Sequence, residues 1–162
     1  GTTVTINGNN FDTILKVSIN GIDANVTNVT DSTLTITIPT SATIGPIMVS
    51  NSSQRITSST NFIVTPTSSN GTNISQNGFA ANWSNVGATR YFLDVSTQSN
   101  FSSFVTGNNN RQLGSVTNVA VENLLPGTTY FYRVRSNDGV STSDNSNTIS
   151  VTTLPATPVT SA

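Results

Sequence analysis

Apolar side chains in this chain recur at every second position. Val4 and Ile6 alternate with Thr, and Val17 and Ile19 follow. Leu34, Ile36 and Ile38 alternate with Thr33, Thr35 and Thr37; Ile47 and Val49, then Phe62 and Val64, repeat the pattern. A period of two puts one set of side chains on a buried face and the other in water, as a half-buried strand requires. No stretch keeps apolar spacing of i, i+3, i+4 and i+7 over three turns, so almost no helix is expected. Asn7-Gly8 and Asn20-Gly21 suit the positive-φ positions of tight hairpins, while Pro39 and Gly45-Pro46 end strands.

The wet positions are filled by short uncharged side chains: the chain has 28 Thr, 23 Ser and 22 Asn, and only 8% charged residues. Disorder of the usual kind needs high net charge as well as low hydrophobicity. The net charge here is −1, so self-repulsion does not hold the chain open. Thr is β-branched and suits a pleated, half-wet surface. The composition therefore predicts an all-β protein with a hydroxyl-and-amide surface.

The inventory also removes function classes. With no His and no Cys, zinc-finger, thiolate-metal, Cys-nucleophile and Ser-His-Asp chemistry are absent. Six cations against seven acids supply no clustered basic footprint for nucleic acid. No apolar run approaches the ~18 residues of a membrane span, and no membrane insertion is expected. The start at Gly1-Thr2-Thr3 reads as a mature or excised piece of something longer.

A boundary is expected near residue 66, where Thr65-Pro66-Thr67-Ser68-Ser69-Asn70-Gly71 separates two blocks of alternation. The second block holds Phe79, Ala81 and Trp83, then Tyr91, Leu93 and Val95, then Val119 and Val121, then Tyr130, Tyr132 and Val134, then Ile149 and Val151. We expect β domains at 1–65 and 66–155, with 156–162 as a linker or tail.

In the first block, Gly1-Thr2-Thr3-Val4-Thr5-Ile6-Asn7-Gly8-Asn9-Asn10-Phe11, Val17-x-Ile19-Asn20-Gly21 and the strand from Leu34 to Pro39 resemble an IPT/TIG domain, an immunoglobulin-like sandwich. That resemblance implies a further strand before Gly1, which this sequence lacks. A trimmed chain accounts for this; so does a strand supplied by another subunit or domain by addition to an open edge. The second block resembles a fibronectin type III domain. Trp83 falls on its second strand and Tyr91 opens its third. Leu124-Leu125-Pro126-Gly127-Thr128-Thr129-Tyr130 matches its corner motif, in which the Tyr hydroxyl bonds to upstream backbone. The resemblance implies two tandem immunoglobulin-like β-sandwiches with Trp83, Tyr91, Tyr130 and Tyr132 in the core. The phrases around Leu93-Asp94-Val95 and Tyr132-Arg133-Val134-Arg135 are similar to copies common in secreted modular proteins of Bacteroidetes-type bacteria.

Alternation turns Arg90, Phe92 and Asp94 outward on one strand and Phe131, Arg133 and Arg135 outward on a later one. In a type III sandwich these strands pair, so an exposed face with two Phe and three Arg beside Asp94 is expected. It reads either as a cross-strand ladder with Asp94 paired to an Arg, or as a contact surface for a neighbouring domain or partner. Asp12-Thr13-Ile14 and Asp31-Ser32-Thr33 resemble short O-glycosylation triplets, which makes Thr13 and Ser32 candidate sites. Asn-x-Ser/Thr triplets begin at Asn25, Asn28, Asn51, Asn70, Asn73, Asn82 and Asn100. Asp138 and Asp144 read as turn residues rather than a calcium loop, and Lys16 as a surface residue. No cofactor, metal or catalytic residue is implied.

The expected function is that of a non-catalytic spacer and interaction segment of a secreted or cell-surface modular protein. Its expected partners are neighbouring domains or subunits. The alternatives are a subunit of an extracellular filament joined by strand addition, and an accessory region that binds surface polysaccharide beside a hydrolase.

Overall fold

The computed structural model describes residues 2–14 and 16–158. Gly1, Leu15 and the last part of the expected tail, 159–162, lie outside the described residues. The chain divides into two compact units, Gly1–Val64 and Thr65–Ala162. Among the described residues thirteen strands carry the fold, and the helical content is a single 3₁₀ turn at Phe11–Thr13.

The first unit holds β1 (Thr3–Asn7), β2 (Lys16–Ile19), β3 (Ile22–Val29), β4 (Thr33–Thr37), β5 (Gly45–Ser50) and β6 (Arg55–Phe62). Their order is β1-β4-β3-β2-β5-β6. β2 and β3 are joined by Asn20-Gly21, with φ of 46° and 81°. Both residues are left-handed, as a two-residue turn matched to strand twist demands.

β3 serves two partners. Its Ile22–Ala24 stretch pairs with β2. Its Asn25–Val29 stretch pairs with β4, with a register shift between Val26 and Asn28. Such a bulge bends a strand, and the bend lets one strand pass between two layers. Phe11, Val17, Ile19, Leu34, Ile36 and Ala42 close into the core between them. At the far edge Pro46 has no N–H for the ladder, and the β5–β6 register slips between Pro46 and Met48. There the Ser58 hydroxyl accepts the Ile47 N–H at 2.9 Å and donates to Thr60 O at 2.7 Å, which splices the gap.

The second unit has a three-stranded and a four-stranded sheet. β7 (Ser68–Thr72), β8 (Phe79–Trp83) and β11 (Asn118–Val121) form the order β11-β8-β7. β9 (Arg90–Ser96), β10 (Arg111–Leu113), β12 (Thr129–Asn137) and β13 (Ile149–Thr152) form the order β10-β9-β12-β13. Phe79, Ala81, Trp83, Tyr91, Leu93, Val95, Tyr130, Tyr132 and Val134 are all buried. The Phe79 and Tyr132 rings stack at 5.7 Å, and Trp83 meets Tyr91 at 5.6 Å. The Tyr132 hydroxyl accepts the Asn82 N–H at 3.2 Å and donates to Ser69 O, tying β12 to the opposite sheet. The Tyr130 hydroxyl accepts the Leu125 N–H at 2.9 Å.

Candidate interaction face

The ladder between β9 and β12 sets Arg133 opposite Asp94, Arg135 opposite Phe92, Asn137 opposite Arg90 and Phe131 opposite Ser96. Directly opposed residues share a face, so the two outward rows are neighbours. Arg90 and Phe131 stand at opposite ends of the row, about 20 Å apart at 3.3 Å per residue. The Asp94–Arg133 pair separates Phe92 from Phe131, so the two rings form no continuous patch.

The centre of the row is an ion cluster. Arg133 Nε donates to Asp94 Oδ2 at 3.1 Å, and Arg135 Nη2 reaches the same oxygen at 3.1 Å. The Asn110 N–H donates to Asp94 Oδ1 at 2.7 Å, and Arg135 Nη2 also reaches Asn110 Oδ1 at 2.9 Å. A carboxylate that accepts from two guanidinium groups and a backbone N–H is well satisfied away from water. That satisfaction lets Asp94 be 2% exposed.

The expected exposed face is therefore corrected. Asp94 is buried, and Arg90, Phe92, Phe131, Arg133 and Arg135 are half-buried. Over the Asp94–Arg133 part of the row the cover is the segment between β9 and β10, residues 97–110. Phe101 lies with its ring 4.0 Å from the Arg133 guanidinium carbon and is itself buried. Phe104 bridges to Ser96 and packs on Phe101 with ring centroids 6.4 Å apart. The Ser96 hydroxyl donates to Ser103 O. Period two says which way a strand residue points, but nothing about a loop that returns over it. The available signal was Phe101 and the Phe104-Val105 pair in a segment otherwise made of Thr, Ser, Asn, Gln and Gly, since large rings in a loop need somewhere to be buried.

The remaining singled-out residues lie elsewhere. Trp83 is 4% exposed and packed in the core. Lys16 is exposed and paired with Asp23 at 3.0 Å. Asp138 Oδ1 accepts the Val140 and Ser141 N–H groups as a turn cap. Thr13 and Ser32 are exposed, and Thr13 Oγ1 accepts from Asn51 Nδ2 at 3.1 Å.

The pairing of β9 with β12, the buried Trp83 and the Tyr130 corner together define the second unit, and the fibronectin type III family model matches residues 50–152. The chain belongs to the fibronectin type III family. An IPT/TIG domain model matches residues 1–64, so an IPT/TIG domain is followed by a fibronectin type III domain. The fibronectin match reaches back over β6, whose ladder partner β5 is in the first unit.

Among solved structures, the sixth fibronectin type III domain of human fibronectin type III domain containing protein 3 is 20% identical. It covers 65% of this chain and 98% of its own length, with a TM-score of 0.50. The fn3 domain of human collagen alpha-1(XX) chain is 22% identical, covering 64% and 97%, with a TM-score of 0.49. The FN1–FN3 domains of chicken CNTN1 are 18% identical, covering 94% of this chain and 62% of their own, with a TM-score of 0.43. No curated protein sequence matches the chain.

Proposed function

We infer that this chain is a non-catalytic spacer and interaction segment of a secreted or cell-surface modular protein. The two domain families make it a modular immunoglobulin-like interaction or spacer region. Such domains are typical of extracellular or surface proteins. No helix among the described residues is long and apolar enough to cross a membrane.

The observation that carries this reading is the Asp94 cluster. A catalytic carboxylate must meet substrate; Asp94 is walled in by Arg133, Arg135 and Asn110 and spends its charge on holding two strands and a loop together. Asp138 is likewise occupied as a turn cap. Under this reading the half-buried rim of the β9–β12 row, Arg90, Phe92 and Phe131, meets a neighbouring domain or subunit. Sedimentation and binding assays on Phe92→Ser/Phe131→Ser against the parent chain test it. Weakened association supports the face, and unchanged association removes it.

A second reading, a filament subunit joined by strand addition, is favoured by β1 and β6. They end the strand order of the first unit, and β6 is an eight-residue edge with Ile56 62% exposed. Long edges of this kind are templates for another strand. Negative-stain microscopy separates filaments from single particles.

A further inference from the structure

The outer face of the first unit holds a polar group that the fold does not use. Val17 and Ile19 of β2 belong to the core, so Ser18 between them is turned to the other face of the sheet. Asp23 of β3 and Met48 of β5 stand directly opposite it on either side. Although it faces outward, Ser18 is buried, and its hydroxyl finds no hydrogen-bond partner among the described residues. An unpaired buried hydroxyl is a cost to folding, so its presence calls for a reason outside the fold.

Ser18 lines a groove of about 370 Å³, a size within the range of small-ligand sites. Lys16 and Arg55 line it too. Lys16 stands opposite Ser50, and Ser50 opposite Arg55, so the two cations share one face of the sheet. Two strand spacings set their backbones about 10 Å apart, a gap that two long side chains can bridge. Lys16 is paired with Asp23 at 3.0 Å, and Arg55 makes no ion pair among the described residues.

The unused hydrogen-bonding capacity defines what fits. Lys16 keeps N–H donors beyond the one given to Asp23, Arg55 keeps its guanidinium fork, and Ser18 keeps its O–H. Against them stands the second oxygen of Asp23, whose Oδ1 is taken by Lys16. Two cations and one anion leave the groove positive in a chain whose net charge is −1. The complement is an anion that also carries a donor. An ionised Asp or Glu side chain only accepts and leaves Asp23 unserved. A carboxylate with neighbouring hydroxyls serves both sides, and half-buried Met48 lies against its carbon skeleton.

We propose that this groove binds a hydroxy-carboxylate with the chemistry of a uronic-acid sugar. Lys16 and Arg55 hold the carboxylate, the Ser18 hydroxyl donates to it, and Asp23 accepts from a sugar hydroxyl. Every residue of the groove belongs to the first unit and the β9–β12 row to the second. The site therefore goes beyond the spacer reading and does not depend on it.

The test is an amide NMR titration of the full chain with sodium glucuronate, with glucose, sodium glutamate and sodium chloride as separate arms. Glucuronate is expected to shift the amides of Ser18, Asp23 and Met48 saturably, and the other three arms to shift them far less. Lys16→Gln and Arg55→Gln are each expected to weaken glucuronate binding about fivefold, as loss of an exposed charge does. Ser18→Ala is expected to weaken it about tenfold, as loss of a buried donor to a charged group does. Arg90→Gln removes the same charge from the second unit and is expected to change nothing. Lys16 and Arg55 are exposed, so their variants keep the test available should Ser18→Ala fold poorly. No saturable shift with glucuronate, or no loss of binding in Lys16→Gln and Arg55→Gln, would overturn the site. An equal response to chloride would mean an adventitious ion only, to glutamate an acidic protein partner, and to glucose a site blind to charge; each overturns the assignment. The association assays on Phe92 and Phe131 read the other unit, so the two readings fail separately.

Discussion

Arg133 and Asp94 face each other directly across the β9–β12 ladder, with Nε 3.1 Å from Oδ2. The Arg133 side chain is a quarter exposed while that of Asp94 is nearly closed to solvent. The pair therefore holds a water-shielded anion with a cation that still touches water. Removing the anion leaves two half-buried cations and the Asn110 N–H without their partner.

Asp94→Ala is accordingly expected to destabilise the second unit by about 2–3 kcal/mol, below the full 3–5 for a buried pair because the arginines retain some hydration. Lys16→Ala breaks the Lys16–Asp23 pair, whose side chains are 53% and 65% exposed. It is expected to change stability by less than about 0.5 kcal/mol. Urea denaturation of both variants measures the contrast.

Phe101 has φ of 57°, a left-handed conformation uncommon for a residue of its size, and its ring rests on Arg133. The buried ring holds the backbone there. Phe101→Ala is expected to cost about 2–4 kcal/mol and to free the segment over the outer row. Hydrogen exchange should then quicken at the Asn110 and Asn108 amides, which bond to Asp94 Oδ1 and Val105 O. Unchanged exchange would show that the segment is held by other contacts.

Burial pushes the Tyr132 phenol above its ordinary value of 10.0, and the hydrogen bond from the Asn82 backbone lowers it by less. A group whose folded value is raised gives stability that is complete below its unfolded value and lost as pH climbs through the folded one. The chain is expected to keep its stability up to about pH 10 and to lose it above. Tyr132→Phe should start lower, by about 1–3 kcal/mol for the Ser69 carbonyl left without its donor. It should also lack that alkaline fall. Denaturation midpoints from pH 8 to 12 follow both effects.

Ser18 is 1% exposed, and its hydroxyl has no hydrogen-bond partner among the described residues. Ser18→Ala removes a polar atom that gains nothing from its place, so stability is expected to hold or to rise by up to about 1 kcal/mol. A loss of more than that in thermal unfolding would mean that the hydroxyl has a partner in solution.

β4 shows what was legible in the sequence. The strict Thr/apolar alternation from Thr33 to Thr37 gives the strand, its buried Leu34 and Ile36, and its half-wet Thr face. The pairing of Asp94's row with that of Arg133 was legible too, because it needs only alternation and a family strand order. The cover was not. Residues 97–110 have no period, and they are fixed by distant partners: Phe101 by Arg133, Asn110 by Asp94 and Arg135. Asn147 was equally silent, since in a chain with 22 Asn nothing local marks the one that pairs with Ser68.

One strand of the first unit answers to two neighbours: β3 gives Ile22–Ala24 to β2 and Asn25–Val29 to β4. Neither layer then has a seam along which it can melt alone, since losing β3 from one ladder strips its other ladder of support. Calorimetry on this unit should find one all-or-none transition, its measured enthalpy equal to the van't Hoff value.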